Sequence, residues 1–304
     1  MSEQKPQTVP TTGHVWDGDL QEYNNPLPVW WVYTFYATVI FALVYWTIYP
    51  SWPFGNGWIG GVSKIDYVNS EGEAKTHSWN TRALLLADLN KAAIAQKPYF
   101  DKVEAMSYEQ IAKDPEMSGF ILSAGKSLFA DNCAPCHQAG GQGMIGFFPN
   151  LTDDDWLYGG SYEKLHETLM GGRRGYMPAF SEVLNGGQID QLANYVASLS
   201  GSDHDSTKAA AGDALFHGEA AGCYVCHGGG AKGRQELGAP NLTDNIWLWA
   251  NVPAAGSAEG KVAAIRGVIA SGLNKGVMPA WSARLTPEQI KVLTVYVHEL
   301  GGGQ

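Results

Sequence analysis

Charge is scarce in this chain, and basic charge scarcer still. Only 16% of the 304 residues are ionic, with 20 lysines and arginines against 30 aspartates and glutamates. The formal net charge of −10 excludes the basic footprint that a nucleic-acid partner needs. From Tyr23 to Ser63 there is no charged side chain at all. The N-terminal stretch lacks a basic n-region and a small-residue cleavage site after its apolar run, so it does not read as a secretory leader. Cysteine is rarer than either charge: four residues, in two clusters, with no thiol left over. Glycine (37) and proline (15) are plentiful and aromatics reach 12%, which suits small helical domains with long loops and not a disordered chain.

Within the charge-free stretch, Val29 to Tyr49 is a run of mostly aromatic and β-branched residues closed by Pro50. A helix of that length spans about 30 Å, the thickness of a hydrocarbon core. Trp30, Trp31 and Tyr33 mark one end and Tyr45, Trp46, Tyr49 and Trp52 the other, as interfacial aromatic belts do. One membrane-spanning helix is therefore expected at 29–49, with membrane lipid as a partner. Residues 51–63, rich in Gly, Pro and Trp, are expected at the membrane surface. Beyond them, Leu84, Leu85, Leu89, Ala92 and Ala93 recur at helical spacing over Asn80–Gln96, with Asn80 or Thr81 as the cap.

The cysteines fall in Cys133-Ala134-Pro135-Cys136-His137 and Cys223-Tyr224-Val225-Cys226-His227. C-x-x-C alone also serves redox dithiols and half zinc sites. A histidine directly after it, twice, reads instead as c-type haem attachment. Two thiols three residues apart can each add to one vinyl group of a single haem, and the next residue supplies an axial nitrogen. Two covalently bound haems c are expected, on Cys133 and Cys136 and on Cys223 and Cys226, with His137 and His227 on the irons.

The motifs sit in a repeat. Ala124-Gly125-Lys126-Ser127-Leu128-Phe129 precedes the first and Ala211-Gly212-Asp213-Ala214-Leu215-Phe216 the second. Pro149-Asn150-Leu151-Thr152-Asp153 is matched by Pro240-Asn241-Leu242-Thr243-Asp244, with Trp156 and Trp247 at the same offset. Met177-Pro178-Ala179-Phe180 is answered by Met278-Pro279-Ala280-Trp281. Each half closes on an amphipathic helix, Gln188–Leu199 and Thr286–Leu300. The expected fold class is all-α: one N-terminal transmembrane helix followed by two tandem class I cytochrome c domains. The boundaries read from the sequence are 1–28 (polar N-terminal segment), 29–49 (span), 50–118 (linker with a helix), 119–200 (first domain), 201–210 (linker) and 211–304 (second domain).

Met177 and Met278 are the candidate sixth ligands. Proline after each methionine pushes it toward extended geometry and so holds the sulfur on a stiff loop. A thioether raises the potential relative to a second imidazole. Which methionine meets which iron is not encoded in spacing; pairing within each half is simplest, and an exchange between halves gives the same signature. Pro149 and Pro240 are expected to offer carbonyls to the far nitrogens of His137 and His227. For Trp156, Trp247, Arg173 and Arg174, contact with haem propionates and ordinary packing or solvation stand equal. His14, His77, His166, His204, His217 and His298 carry no repeat and no ligand spacing. Covalent haem attachment takes place on the outer side of a bacterial inner membrane, so the N-terminus is expected in the cytoplasm and everything after Pro50 in the periplasm.

Residues 14–31, His-Val-Trp-Asp-Gly-Asp-Leu-Gln-Glu-Tyr-Asn-Asn-Pro-Leu-Pro-Val-Trp-Trp, followed by one span and two cytochrome c domains, resemble the dihaem subunit of cbb3-type cytochrome c oxidases. The resemblance covers essentially the whole chain. It implies a subunit without an oxygen-reducing centre, with no catalytic residue of its own. Such a subunit takes electrons from a c-type cytochrome donor and passes them to a monohaem cytochrome c subunit, which feeds the haem–copper catalytic subunit. A free-standing tethered dihaem carrier, a dihaem peroxidase and a membrane-tethered gas sensor are the other readings. The last two need an open iron, which two Met-Pro motifs argue against.

Overall fold

The computed structural model describes residues 9–69, 72–274 and 276–301. The chain forms two compact units, Met1–Gln96 and Lys97–Gln304.

In the first unit, β1 (Thr11–Trp16) and β2 (Leu20–Tyr23) form an antiparallel hairpin whose turn holds Asp17 and Gly18 at positive φ. Helix α1 (Val29–Ile48) lies within the predicted span and is the one described helix long and apolar enough to cross a membrane. Two more hairpins follow, β3 (Pro53–Phe54) with β4 (Gly57–Trp58), and β5 (Lys64–Val68) with β6 (Ala74–Ser78). None of the three hairpins was expected; β3 and β4 are two residues each, β1 and β2 are exposed along their whole length, and β5 buries only Ile65, so no alternating buried face marks them. Helix α2 (Thr81–Ala105) starts where expected, with the Asn80 carboxamide accepting the Ala83 N–H at 2.8 Å. It runs nine residues past Gln96 and through Pro98. Tertiary contacts override the proline. Tyr99 stacks on Phe120 at 5.0 Å, Phe100 meets the same ring edge-on at 5.2 Å, and Lys291 Nζ donates to the carbonyls of Glu104 and Met106 at the helix end.

The second unit is helical: α3 (Tyr108–Lys113), α4 (Pro115–Asn132), α5 (Ala134–His137), α6 (Tyr162–Gly171), α7 (Gly186–Leu199), α8 (Ser206–His217), α9 (Tyr224–His227), α10 (Ala258–Ser271) and α11 (Pro287–His298). The caps are legible in the residues. Thr286 and Gln289 form a capping box at α11, and Asn185 and Gln188 form another at α7. Helix α8 begins inside the segment read as a linker, because the Asp205 carboxylate accepts the N–H groups of Thr207 and Lys208.

The packing is not divided where the repeat is. One buried core takes Val103, Met117 and Phe129, then Leu165 and Leu169, and then leaps to Trp281, Ile290, Leu293 and Val297. The other takes an unbroken stretch, from Leu184 and Leu192 through Phe216 and Ala231 to Val262 and Ile269. The second lobe is therefore one continuous segment nested inside the first. The glycines of the two Ala-Gly repeats show how. A Cβ on Gly125 of α4 would lie 2.6 Å from the Tyr296 Cβ on α11, and one on Gly212 of α8 would lie 2.2 Å from the Gln191 carbonyl oxygen on α7. Each helix that leads into a cysteine motif thus crosses the closing helix of the other half. Only residues 200–205 join α7 to α8, and so short a connection favours antiparallel neighbours.

A Cβ at either glycine meets Cβ or backbone atoms that cannot swing aside, so Gly125→Ala and Gly212→Ala should each cost about 1–3 kcal/mol. Hydrogen exchange should place the loosening from Gly125→Ala in α11 and that from Gly212→Ala in α7. A second expectation concerns the end of α5. Gln138 sits at φ 65 and ψ 163, where Gly228 occupies the equivalent place in the repeat at φ 77 and ψ 157. Such geometry is strained for any residue with a Cβ, so Gln138→Gly should raise stability by roughly 1 kcal/mol in denaturant unfolding.

Candidate haem centres

Both Cys-x-x-Cys-His motifs are wound into single helical turns, α5 and α9. In the first, the N–H groups of Cys136 and His137 donate to the Cys133 carbonyl at 3.1 and 2.9 Å. In the second, those of Cys226 and His227 donate to the Cys223 carbonyl at 3.2 and 2.9 Å. The winding puts both thiols and the imidazole of each motif within one turn. The first cysteine of each pair is the more enclosed; Cys133 is buried and Cys136 exposed.

The histidines are aimed. Nδ1 of His137 lies 3.0 Å from the Pro149 carbonyl, and Nδ1 of His227 lies 3.0 Å from the Pro240 carbonyl. A carbonyl oxygen can only accept, so Nδ1 carries the hydrogen and Nε2 is left as a free lone pair. Both prolines were expected in this role. Burial pushes each imidazole pKa below its ordinary value against the raising effect of that hydrogen bond. The rings stay neutral, as ligation requires.

Burial pushes the Cys133 and Cys223 thiols up to about 11. A redox dithiol needs the opposite shift, toward the thiolate. The setting of these two thiols is therefore unlike that of a redox dithiol. Among the described residues there is also no group of three or more His, Cys, Asp or Glu arranged to hold a metal ion.

The two motifs open into one cavity of about 660 Å³, walled mainly by apolar side chains and reached by all four cysteines, both histidines, Met177 and Met278. That donor set is what two haems c would use: two thiols for the vinyl groups, one imidazole nitrogen and one thioether sulfur at each centre. The residues fit the group.

The methionine loops cross. The Met278 N–H donates to the Arg173 carbonyl and the Arg173 N–H to the Met278 carbonyl, both at 2.9 Å. The Met177 N–H donates to the Leu273 carbonyl at 2.9 Å, and the Leu273 N–H returns to the Met177 carbonyl at 2.8 Å. Gly172 and Gly272 make this approach possible. Both lie at positive φ, and a Cβ there would sit 2.3 Å from the Met278 oxygen and 2.5 Å from the Met177 oxygen, respectively. In consequence Met278 packs against the core that holds Cys133, while Met177 and Cys223 pack against the other. Pairing within each half, the simpler expectation, does not match this packing.

The remaining candidates divide. Trp156 packs on the first core and Trp247 on the second, and both line the cavity. Arg173 is no solvated side chain: its Nε donates to Thr168 Oγ1 at 3.0 Å, it pairs with Glu167, and its guanidinium lies 4.7 Å from the Tyr158 ring centre. Arg174 is exposed and donates to Asn274 Oδ1 at 3.2 Å. Two residues were missed from sequence. Tyr158 presses on Gly238, where a Cβ would fall 2.2 Å from its Cζ, so it joins the lobes. Asp155 lines the cavity, and its carboxyl is raised to about 6, first by burial and then by the negative charges of Asp244 and Asp153. A run of three aspartates, Asp153 to Asp155, was the available signal.

A family model described as the N-terminal domain of cytochrome oxidase-cbb3, FixP, matches residues 8–56. One described as cytochrome C oxidase, cbb3-type, subunit III, matches 121–196 and 207–297. The cbb3-type cytochrome c oxidase subunit FixP of Azorhizobium caulinodans is 45% identical over 97% of this chain and 94% of its own length. The FixP subunit of Bradyrhizobium diazoefficiens is 42% identical over 97% and 95%. The CcoP subunit of Cereibacter sphaeroides is 38% identical over the whole of this chain and 98% of its own length. Matches to both the segment before the span and the repeat favour an oxidase subunit over a free-standing tethered carrier. With its anchoring helix and its paired cytochrome c repeat, the chain belongs to the FixP/CcoP family, the electron-transferring subunit III of cbb3-type cytochrome c oxidases.

Proposed function

We propose that this subunit relays electrons through two covalently bound haems c whose methionine ligands are exchanged between the halves of the repeat. Cys133, Cys136, His137 and Met278 would hold one, and Cys223, Cys226, His227 and Met177 the other. The observation that carries this reading is the pair of crossed backbone bridges at Met177–Leu273 and Arg173–Met278. The haem supplies a one-electron iron couple at each centre.

The chain's residues set the conditions for that couple. Pro149 and Pro240 fix the imidazole tautomer. The Met-Pro loops would supply one thioether sulfur to each haem, and an iron so held would have no place for oxygen or peroxide. The mainly apolar wall leaves few polar groups beside either site to reorient, favouring rapid electron exchange with little reorganisation. The subunit is accordingly non-catalytic by itself, and bond chemistry belongs to its partners. Those partners are a c-type cytochrome donor, the monohaem cytochrome c subunit and the haem–copper catalytic subunit. The anchor lies in a bacterial inner membrane with its N-terminus in the cytoplasm and the haem lobes in the periplasm, the side where haem is attached.

Removing the first attachment site (Cys133→Ala with Cys136→Ala) leaves one haem to observe. In that background Met177→Ala should abolish the methionine-to-iron charge-transfer band and lower the midpoint potential, while Met278→Ala should leave both. The reverse pattern would restore pairing within each half.

The acidic wall gives a pH dependence. The folded Asp155 carboxyl titrates near 6, above its ordinary value of 3.8. Its contribution to stability is therefore complete below about pH 4 and lost as pH rises through about 6. Asp155→Asn removes that loss. The variant should be more stable than the parent at pH 7 by about 1–2 kcal/mol, after allowance for partial solvent screening, and equal to it at pH 4. Thermal unfolding at the two pH values checks the sign.

A further inference from the structure

The end of α1 is closed in an unusual way. A helix leaves its last carbonyls without partners, and at a membrane surface water normally supplies them. Here the chain does so itself. Ser51 Oγ donates to the Trp46 carbonyl at 3.2 Å, the Val62 N–H to Thr47 at 3.2 Å, and the Ser63 N–H to Ile48 at 2.9 Å. The chain folds back tightly enough that only glycine fits at position 61. Gly61 lies at φ +62, and a Cβ there would sit 2.5 Å from the Ile48 carbonyl oxygen.

Between the outgoing and returning strands stands the β3–β4 hairpin. The Ser51 N–H donates to Ile59 and the Ile59 N–H to Trp52, so its base is hydrogen-bonded, and Trp52 meets Trp46 of α1 edge-on at 4.9 Å. Large side chains on and beside the hairpin are left exposed. Phe54 is 81% exposed, Trp58 70% and Val62 71%. Large apolar groups so exposed mark a surface that is covered in use. The hairpin carries no charge, and the nearest ionic side chains along the chain are Glu22 and Lys64.

We propose that Pro50–Val62 is a second membrane contact, a hairpin lying in the headgroup region of the leaflet from which the C-terminal end of α1 emerges. The occupant of its exposed face is lipid. It is continuous with the span, contains no charge to be desolvated, and presents tryptophan and phenylalanine, which favour that depth. The satisfied carbonyls allow the helix end to sit there without water. The hairpin would fix the rotation and depth of the anchor, a role separate from electron relay but dependent on α1 spanning the bilayer.

Every native thiol lies in a haem motif, so an introduced cysteine is the one free thiol of this subunit in the haem-loaded protein. Nitroxide labels at Phe54→Cys and Trp58→Cys are read in the intact oxidase in lipid nanodiscs, against the same complex without the added cysteine. Ile40→Cys in α1 and Lys75→Cys in β6 serve as lipid and aqueous references. Both hairpin labels should relax more with dissolved oxygen than with a water-soluble nickel chelate, as at Ile40 and opposite to Lys75. Labels dominated by the chelate would overturn the proposal, as would labels shielded from both agents, which would place a protein partner on the hairpin. A chelate-dominated label at Ile40 itself would remove the span, and the proposal with it.

Discussion

Four backbone hydrogen bonds, two on each side of the crossing at Arg173–Met278 and Met177–Leu273, decide how this subunit is built. Each is worth only about 0.5–1.5 kcal/mol, so they do not decide the fold by strength. Their effect is one of placement. They carry each methionine across to the core containing the other half's cysteine motif. The two glycines that permit the crossing, Gly172 and Gly272, have no substitute that would avoid a clash with backbone.

Nesting follows from that crossing. The second lobe is one unbroken stretch, while the first is made from the segments on either side of it. Each lobe keeps one methionine and one cysteine motif on the same core, and the lobes meet through other loops. Tyr158 against Gly238, and the Gly146 N–H on the Leu248 carbonyl, add contacts from loop to loop. These contacts and the cavity that both motifs line set the two lobes side by side.

Much of this was legible in the residues. The cysteine motifs, the histidine orientation through Pro149 and Pro240, the Met-Pro loops, the span and the caps at Asn80 and Thr286 all rest on local chemistry at short spacing. The exchange was not legible, because a duplicated chain gives the same signal for either closure. Gly125 and Gly212 announce a tight helix crossing and say nothing of the partner; Tyr296 and Tyr195 are both helical aromatics in equivalent places. The short 200–205 connection, which favours α7 on α8, reads as an ordinary linker. The first two hairpins escaped because two-residue and solvent-facing strands such as β3 and β1 have no buried face to impose alternation, and the third because β5 buries only Ile65. Pro98 argued for a helix end that the contacts of Tyr99, Phe100 and Lys291 overrule.

The most direct test of the nested arrangement is to produce two haem-loaded fragments, residues 176–273 and residues 211–304, and compare their spectra. The account predicts that 176–273, which holds Met177 with its Leu273 bridge, α7, the second cysteine motif and α10, folds alone with a methionine-ligated low-spin haem. The repeat-based fragment 211–304 should lack that ligation. A stable, methionine-ligated 211–304 beside an unfolded 176–273 would contradict it.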